Sequence, residues 1–425
     1  MRDARYPSME EREIPTELLE IIVGLVHDDH TALKALAATS HRSLRQSQRL
    51  LFSSIILGQP DHSDIGLSPC QKLHNVMRES PHLATYVRHL SIIDGARHID
   101  QPLHGWLGFL RNISPCREGS AFGWVAGEKT LPEVLCQLVN VEHLVIRGSI
   151  SPLDPCLNWG KLPMDTRLAL LATVQRPLLS SISISHTSAF IPLLSCATGP
   201  KSVILSNNCV ESCQLQDMAL QHPPQRICQI DTLDTGVSLN RDWSMLVEYG
   251  SWIDLSQLRS LTVRGTGSLW KHRELIQQLF KSSATLENLH VYLPSPCPPT
   301  YLTSLNPFLC LRSLCVDICP RNMTSGSGYA TWLLQLISTV VNPNSIDTLA
   351  FQVSYSPLRD LFTPEEFTSL DIALSRPELS SLKLVRLKAV GVERERVIEY
   401  YQKLPSTHAR KILSIETDTE RGLQS

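Results

Sequence analysis

Three hexapeptides decide the fold: Leu258-Arg-Ser-Leu-Thr-Val263, Leu286-Glu-Asn-Leu-His-Val291 and Leu311-Arg-Ser-Leu-Cys-Val316. Each places apolar side chains at its first, fourth and sixth positions, and the alternation over the last three residues is that of a strand with one buried face. The template recurs as Val87-Leu90-Ile92, Val141-Leu144-Ile146, Leu179-Ile182-Ile184, Ile346-Leu349-Phe351 and Leu379-Leu382-Leu384. Weaker copies lie at Pro200-Val203-Leu205, Ile227-Ile230 and Leu413-Ile415. Helix-period patterns fill the intervals, at 163–176, 270–284, 329–341, 364–376 and 392–404. Strand, helix and strand in repetition imply an α/β architecture with a parallel sheet. The longest interval, from Val87 to Val141, has room for an additional helix near 103–111 and a loop at 114–130.

Working outward, the chain has 425 residues, of which 42% are hydrophobic, enough for a large core. Lys and Arg number 39 against 41 Asp and Glu, a net charge of -2, so a phosphate-clamping, nucleic-acid-binding role is not expected. No apolar run is long enough to cross a membrane. The charged opening of residues 1–13 lacks the apolar region of a secretory signal, which places the chain in the cytoplasm or nucleus with its 12 cysteines reduced. No CxxC pair occurs. Cys209/Cys213 and Cys315/Cys319 have no partner pair for a zinc site, so no metal and no cofactor is expected.

Residues 14–58 read as three short helices. The first is apolar at all but Glu20 and Gly24 between Leu18 and Val26, more than one buried stripe requires. Asp28 or Asp29 can cap the second helix and Ser40 the third, whose outer face carries Arg42, Arg45 and Arg49. So small a unit cannot cover its own first helix, and the surplus must be buried on the rest of the chain or on a partner. The stretch IPTELLEIIVGLVHDDHTALKALAATSHRSLRQSQRLLFSSIIL resembles an F-box, in the form common in mushroom-type fungi. That resemblance implies docking on a Skp-type adaptor, and through it on a cullin–RING ligase. Ile14, Pro15, Leu18, Leu19 and Ile22 would meet the adaptor, with Leu33, Leu36 and Leu44 contributing. Ile14 departs from the usual Leu, and Thr39-Ser40-His41 replaces a segment that is often rich in Cys.

With one strand per 25–35 residues over much of the chain, the rest resembles a degenerate leucine-rich-repeat solenoid, strands inside and helices outside. The position that Asn or Cys normally holds is matched only by Asn208 and Cys319, which implies an irregular arc. The expected organisation is a disordered tail at 1–13, the F-box at 14–58, a linker helix region at 59–86, the repeat domain at 87–417 and a tail at 418–425. Between the apolar template positions, Thr262, Arg264, His290, Tyr292, Asp317, Gln352 and Lys383 face outward from the sheet and are candidates for contact with a protein substrate. No catalytic residues emerge. The resemblances together imply the substrate-recognition subunit of a Skp–cullin–F-box ubiquitin ligase, itself not an enzyme. A protein-binding scaffold without a ubiquitin role is the alternative. An α/β enzyme with a helical cap is a second, its nearest feature being the glycine pair Gly265/Gly267 after a strand, which lacks the third glycine of a dinucleotide loop.

Overall fold

The computed structural model describes residues 14–58, 66–94, 123–148, 157–187, 190–206, 228–235, 253–264, 285–293, 302, 304–306, 308–318, 328–340, 346–353, 362–390 and 397–418. The helix expected at 270–284, the extra helix near 103–111, the tail at 1–13 and the tail at 418–425 apart from Asp418, which ends the last strand, lie outside these.

Each template copy becomes a strand, and twelve strands form one sheet in which every neighbouring pair is parallel and the spatial order follows the chain. They are β1 (Ser54–Gly58), β2 (His89–Ile93), β3 (His143–Arg147), β4 (Ser181–Ser185), β5 (Ser202–Ser206), β6 (Thr232–Thr235), β7 (Ser260–Arg264), β8 (Asn288–Leu293), β9 (Ser313–Ile318), β10 (Thr348–Val353), β11 (Leu384–Val390) and β12 (Leu413–Asp418). The protein is thus mixed α/β, with one side of its sheet covered. Leu90, Leu144, Ile182, Val203, Leu233, Leu261, Leu289, Leu314, Leu349 and Val385 occupy matching register positions and are almost completely buried. Against this row pack helices such as α4 (Pro69–Glu79), α5 (Leu131–Gln137), α6 (Met164–Val174), α7 (Tyr329–Ser338) and α8 (Pro364–Leu374).

Three features depart from the template reading. At β6 the copy written Ile227-Ile230 is framed three residues early: Leu233, not Ile230, lies beside Val203 and Leu261, and Ile230 takes the first position. The sheet starts at β1, inside the segment assigned to the three-helix unit and well ahead of Val87, with Ile55 and Leu57 beside Leu90 and Ile92. At β11 the frame is shifted by three residues. Val385 and Leu387, not Leu382 and Leu384, lie beside Leu349 and Phe351. The cause is a 3-10 turn, Pro377–Leu379, which inserts before the strand and moves Leu382 to the first template position. Its N–H donates to the Leu379 carbonyl, as those of Leu179, Leu258 and Leu311 donate to carbonyls three residues back.

The repeats are joined by two devices. Arginines reach back to the orphan carbonyls at the end of the preceding helix, where a cation also suits the helix dipole. Arg176 bonds Leu135 and Leu138, Arg376 bonds Ser338 and Val340, and Arg410 bonds Leu374, Leu379 and Leu382. The second device is a column at the strand-entry edge, one residue after the first template position: Arg88, Glu142, Ser180, Lys201, Asp231, Arg259, Glu287, Arg312, Asp347 and Lys383. Each carbonyl from Arg88 to Asp347 accepts two successive N–H groups from the next repeat. Apart from Ser180, the side chains alternate in sign. Arg88–Glu142 closes at 3.0 Å, Lys383–Asp347 at 3.5 Å, and Glu287 lies 3.9 Å from both Arg259 and Arg312.

Candidate functional surfaces

The amino-terminal unit consists of α1 (Thr16–Leu25), α2 (His30–Thr39) and α3 (His41–Leu51). Asp29 caps α2, accepting from the Thr31 and Ala32 N–H groups at 2.9 Å, and Ser40 caps α3 through the Arg42 N–H. Val23 is the residue of α1 that is fully buried. Ile14, Leu18, Ile21, Ile22 and Leu25 are exposed by 51, 52, 59, 42 and 78%. At 3.6 residues per turn the four of these that lie in α1, Leu18, Ile21, Ile22 and Leu25, span roughly 100° of arc, centred almost opposite Val23, and Ile14 lies just ahead of the helix. The helix therefore has an inner contact and a separate oily stripe that no described residue covers.

Of the residues that the resemblance assigned to an adaptor, Ile14, Pro15, Leu18 and Ile22 are exposed, while Leu19, Leu36 and Leu44 are half-buried. Leu33 is a correction: it is completely buried within the three-helix unit and offers no surface to a partner. Ile21 and Leu25 were missed, although their i+3/i+7 spacing from Leu18 was readable.

The second surface is the open side of the sheet. Thr262, His290 and Cys315 occupy matching register positions on β7–β9, as do Arg264, Tyr292, Asp317 and Gln352 on β7–β10. The structure thus brings six of the seven candidates into two adjacent columns. Lys383 is the exception and a correction. The frame shift puts it in the entry-edge column, paired with Asp347, and Arg386 and Lys388 take the open-face positions instead.

Within these columns the charges are largely paired. Arg264 bonds Asp234 at 2.8 Å, and Arg386 lies 2.9 Å from Glu416. Asp317 is buried. Burial, assisted by the nearby Arg264 cation, pushes the His290 imidazole below its ordinary value, with Asp234 opposing. Its Nε2 is buried without a partner. Burial, with Asp317 adding to it and Arg386 opposing, pushes the Cys315 thiol up to about 11, so it is neutral and unreactive at physiological pH. A shallow depression at the entry edge is lined by Gln257, Arg259, Thr285, Glu287, Leu309, Cys310 and Arg312. What this open face offers chemically is a broad relief of mixed polar groups suited to another protein surface.

No family model matches the chain, and no curated protein matches it in sequence. No helix among the described residues is long and apolar enough to cross a membrane.

Proposed function

We propose that this chain is the substrate-recognition subunit of a Skp–cullin–F-box ubiquitin ligase, in which α1–α3 form an F-box and the strands form a degenerate leucine-rich-repeat array that binds a protein substrate. The observation that carries the reading is the stripe of Leu18, Ile21, Ile22 and Leu25, bare on a helix whose opposite side is already packed at Val23, with Ile14 exposed just ahead of it. An apolar face of that kind on a short helix is a docking surface for another polypeptide. Its position supports the F-box resemblance, since Ile14, Leu18 and Ile22 are among the positions at which such a motif meets its adaptor. The open sheet would then hold a substrate while the ligase supplies the chemistry, raising the effective concentration of substrate lysines near the ubiquitin carrier.

The test is co-expression of the full chain with a Skp-type adaptor. A stable complex is expected for the native chain. It should be lost for Leu18→Asp/Ile22→Asp, with the melting temperature of the free chain unchanged. Failure of the native chain to retain the adaptor would refute the ligase reading.

A further inference from the structure

The open face of the sheet is not uniform along its length. From β6 onward its middle column runs Asp234, Thr262, His290, Cys315, Ala350, Arg386 and Ser414, polar or charged at most positions. Over β1–β5 the same column runs Ile56, Ser91, Val145, Ser183 and Ile204. This half is uncharged and alternates a bulky aliphatic residue with a serine. Ile56 is 58% exposed and Ile204 37%, large values for aliphatic side chains on a sheet. The result is a row of ridges with hollows over Ser91 and Ser183.

The spacing of that relief selects its occupant. Neighbouring strands lie 4.7–4.9 Å apart, so like features recur every ~9.5 Å across the strands. An extended peptide laid in that direction repeats its side chains on one face every ~6.8 Å, which drifts out of step within one period. An α-helix repeats at i and i+7 every ~10.5 Å, within about 1 Å of the relief.

The flanks add charge. On the strand-entry side His89 and His143 stack with their ring centroids 4.4 Å apart. On the exit side stands Arg147, half-buried beside Ile93 and Ser185. Its guanidinium has no carboxylate or other hydrogen-bond partner among the described residues. A half-buried cation without a counter-ion favours an anionic group on whatever covers it.

We propose that the open face of β1–β5 seats an amphipathic helix of the protein substrate, lying across the strands, with aliphatic side chains at i and i+7 over Ser91 and Ser183 and an acidic side chain against Arg147. This rests on the reading that the sheet holds a protein, and it names the segment that is held.

The test is a display library of 21-residue helical peptides, randomised on one face and one flank and panned against the full-length chain. Enrichment of Leu, Ile or Met at i and i+7 with Asp or Glu on the flank is expected. Ser183→Arg should weaken the selected peptides at least tenfold, and panning against Arg147→Glu should switch the flank from acidic to basic. Lys388→Glu, on the other half, should leave them bound. Binders without helical spacing, or binders indifferent to Arg147→Glu, would overturn the proposal. If Ser183→Arg lowers the melting temperature, the Arg147→Glu switch alone decides. Leu18→Asp/Ile22→Asp, panned in parallel, should still select these peptides, so loss of the adaptor reading and loss of this one are separate results.

Discussion

The carboxylate of Asp371, on α8, fastens the last repeat to the one before it, and its removal should loosen that repeat alone. Asp371 is 5% exposed. It accepts from the Ser406 N–H at 2.9 Å, the Thr407 N–H at 2.8 Å and the Thr407 hydroxyl at 2.7 Å, which satisfies the first turn of the short helix Pro405–Ala409. Burial pushes the carboxyl up, but the hydrogen bonds from Thr407 and Ser406 outweigh it and hold the group below its usual 3.8. Each charge-assisted bond contributes about 1.5–3 kcal/mol, so Asp371→Ala has an upper bound near 9 kcal/mol. The realised cost is capped by the free energy at which the last repeat opens locally, and about 3–5 kcal/mol is expected. At about 1.4 kcal/mol per factor of ten, amide exchange should accelerate a hundred- to several-thousand-fold in 405–418. In β2–β9 it should be unchanged. Because the folded value is depressed, this contribution is complete above pH 3.8 and disappears as the pH falls through the folded value. Native-state hydrogen exchange with peptide resolution is the assay. Acceleration spread evenly over all strands, or less than tenfold in 405–418, would refute the idea that Asp371 acts as a local fastening.

Three further outcomes follow from the same geometry. Burial lowers the values of His89, His186 and His290, helped by His143, Arg147 and Arg264 respectively, so the unfolded chain takes up their protons first. Stability should therefore fall as the pH drops below 6.5, and denaturation midpoints at pH 7.5 and 5.5 should converge in His89→Gln/His186→Asn/His290→Gln, where Asn is chosen for the left-handed φ of 54° at residue 186. Glu287→Lys would set three cations in a row with Arg259 and Arg312, at a cost of roughly 0.5–1 kcal/mol in low salt that 1 M NaCl should largely remove, as thermal melts at the two salt concentrations would report. Val385→Ala should cost about 1.5–3 kcal/mol in chemical denaturation, whereas a strand framed on Leu382 and Leu384 would put Val385 on the open face and hold the cost within about 0.5 kcal/mol.

That last contrast shows where sequence pattern stops. The chain contains Arg176-Pro-Leu-Leu-Ser-Ser181 and Arg376-Pro-Glu-Leu-Ser-Ser381, nearly the same string. In the first, Leu179 takes the first template position and the strand follows at once. In the second, Leu379-Leu382-Leu384 and Leu382-Val385-Leu387 both fit the template, and the apolar pattern cannot choose between them. The choice is made by what lies next door. β11 must match β10, and Arg376 must reach the Ser338 and Val340 carbonyls across the repeat boundary. β1 escaped notice for a different reason: Ile55, Ile56 and Leu57 are consecutive aliphatics, so the alternation of a one-face-buried strand is hidden where the open face is itself apolar.

The two surfaces were legible to different degrees for a related reason. The excess of apolar residues on α1 is a property of one helix, and helical spacing alone places Leu18, Ile21, Ile22 and Leu25 together opposite Val23. The open face is assembled from strands far apart in the chain, and its character depends on register. Residue type singled out Arg264 and Tyr292 there, yet Arg264 is already engaged with Asp234. Arg147, in a column with Ile93 and Ser185, is the cation without a counter-ion among the described residues, and its own sequence neighbourhood gives no sign of that. Pairing between repeats thus decides which charges on a solenoid face are available to a partner. A binding site on such a face is better sought among the groups that the register leaves uncompensated than among the residue types most frequent at interfaces.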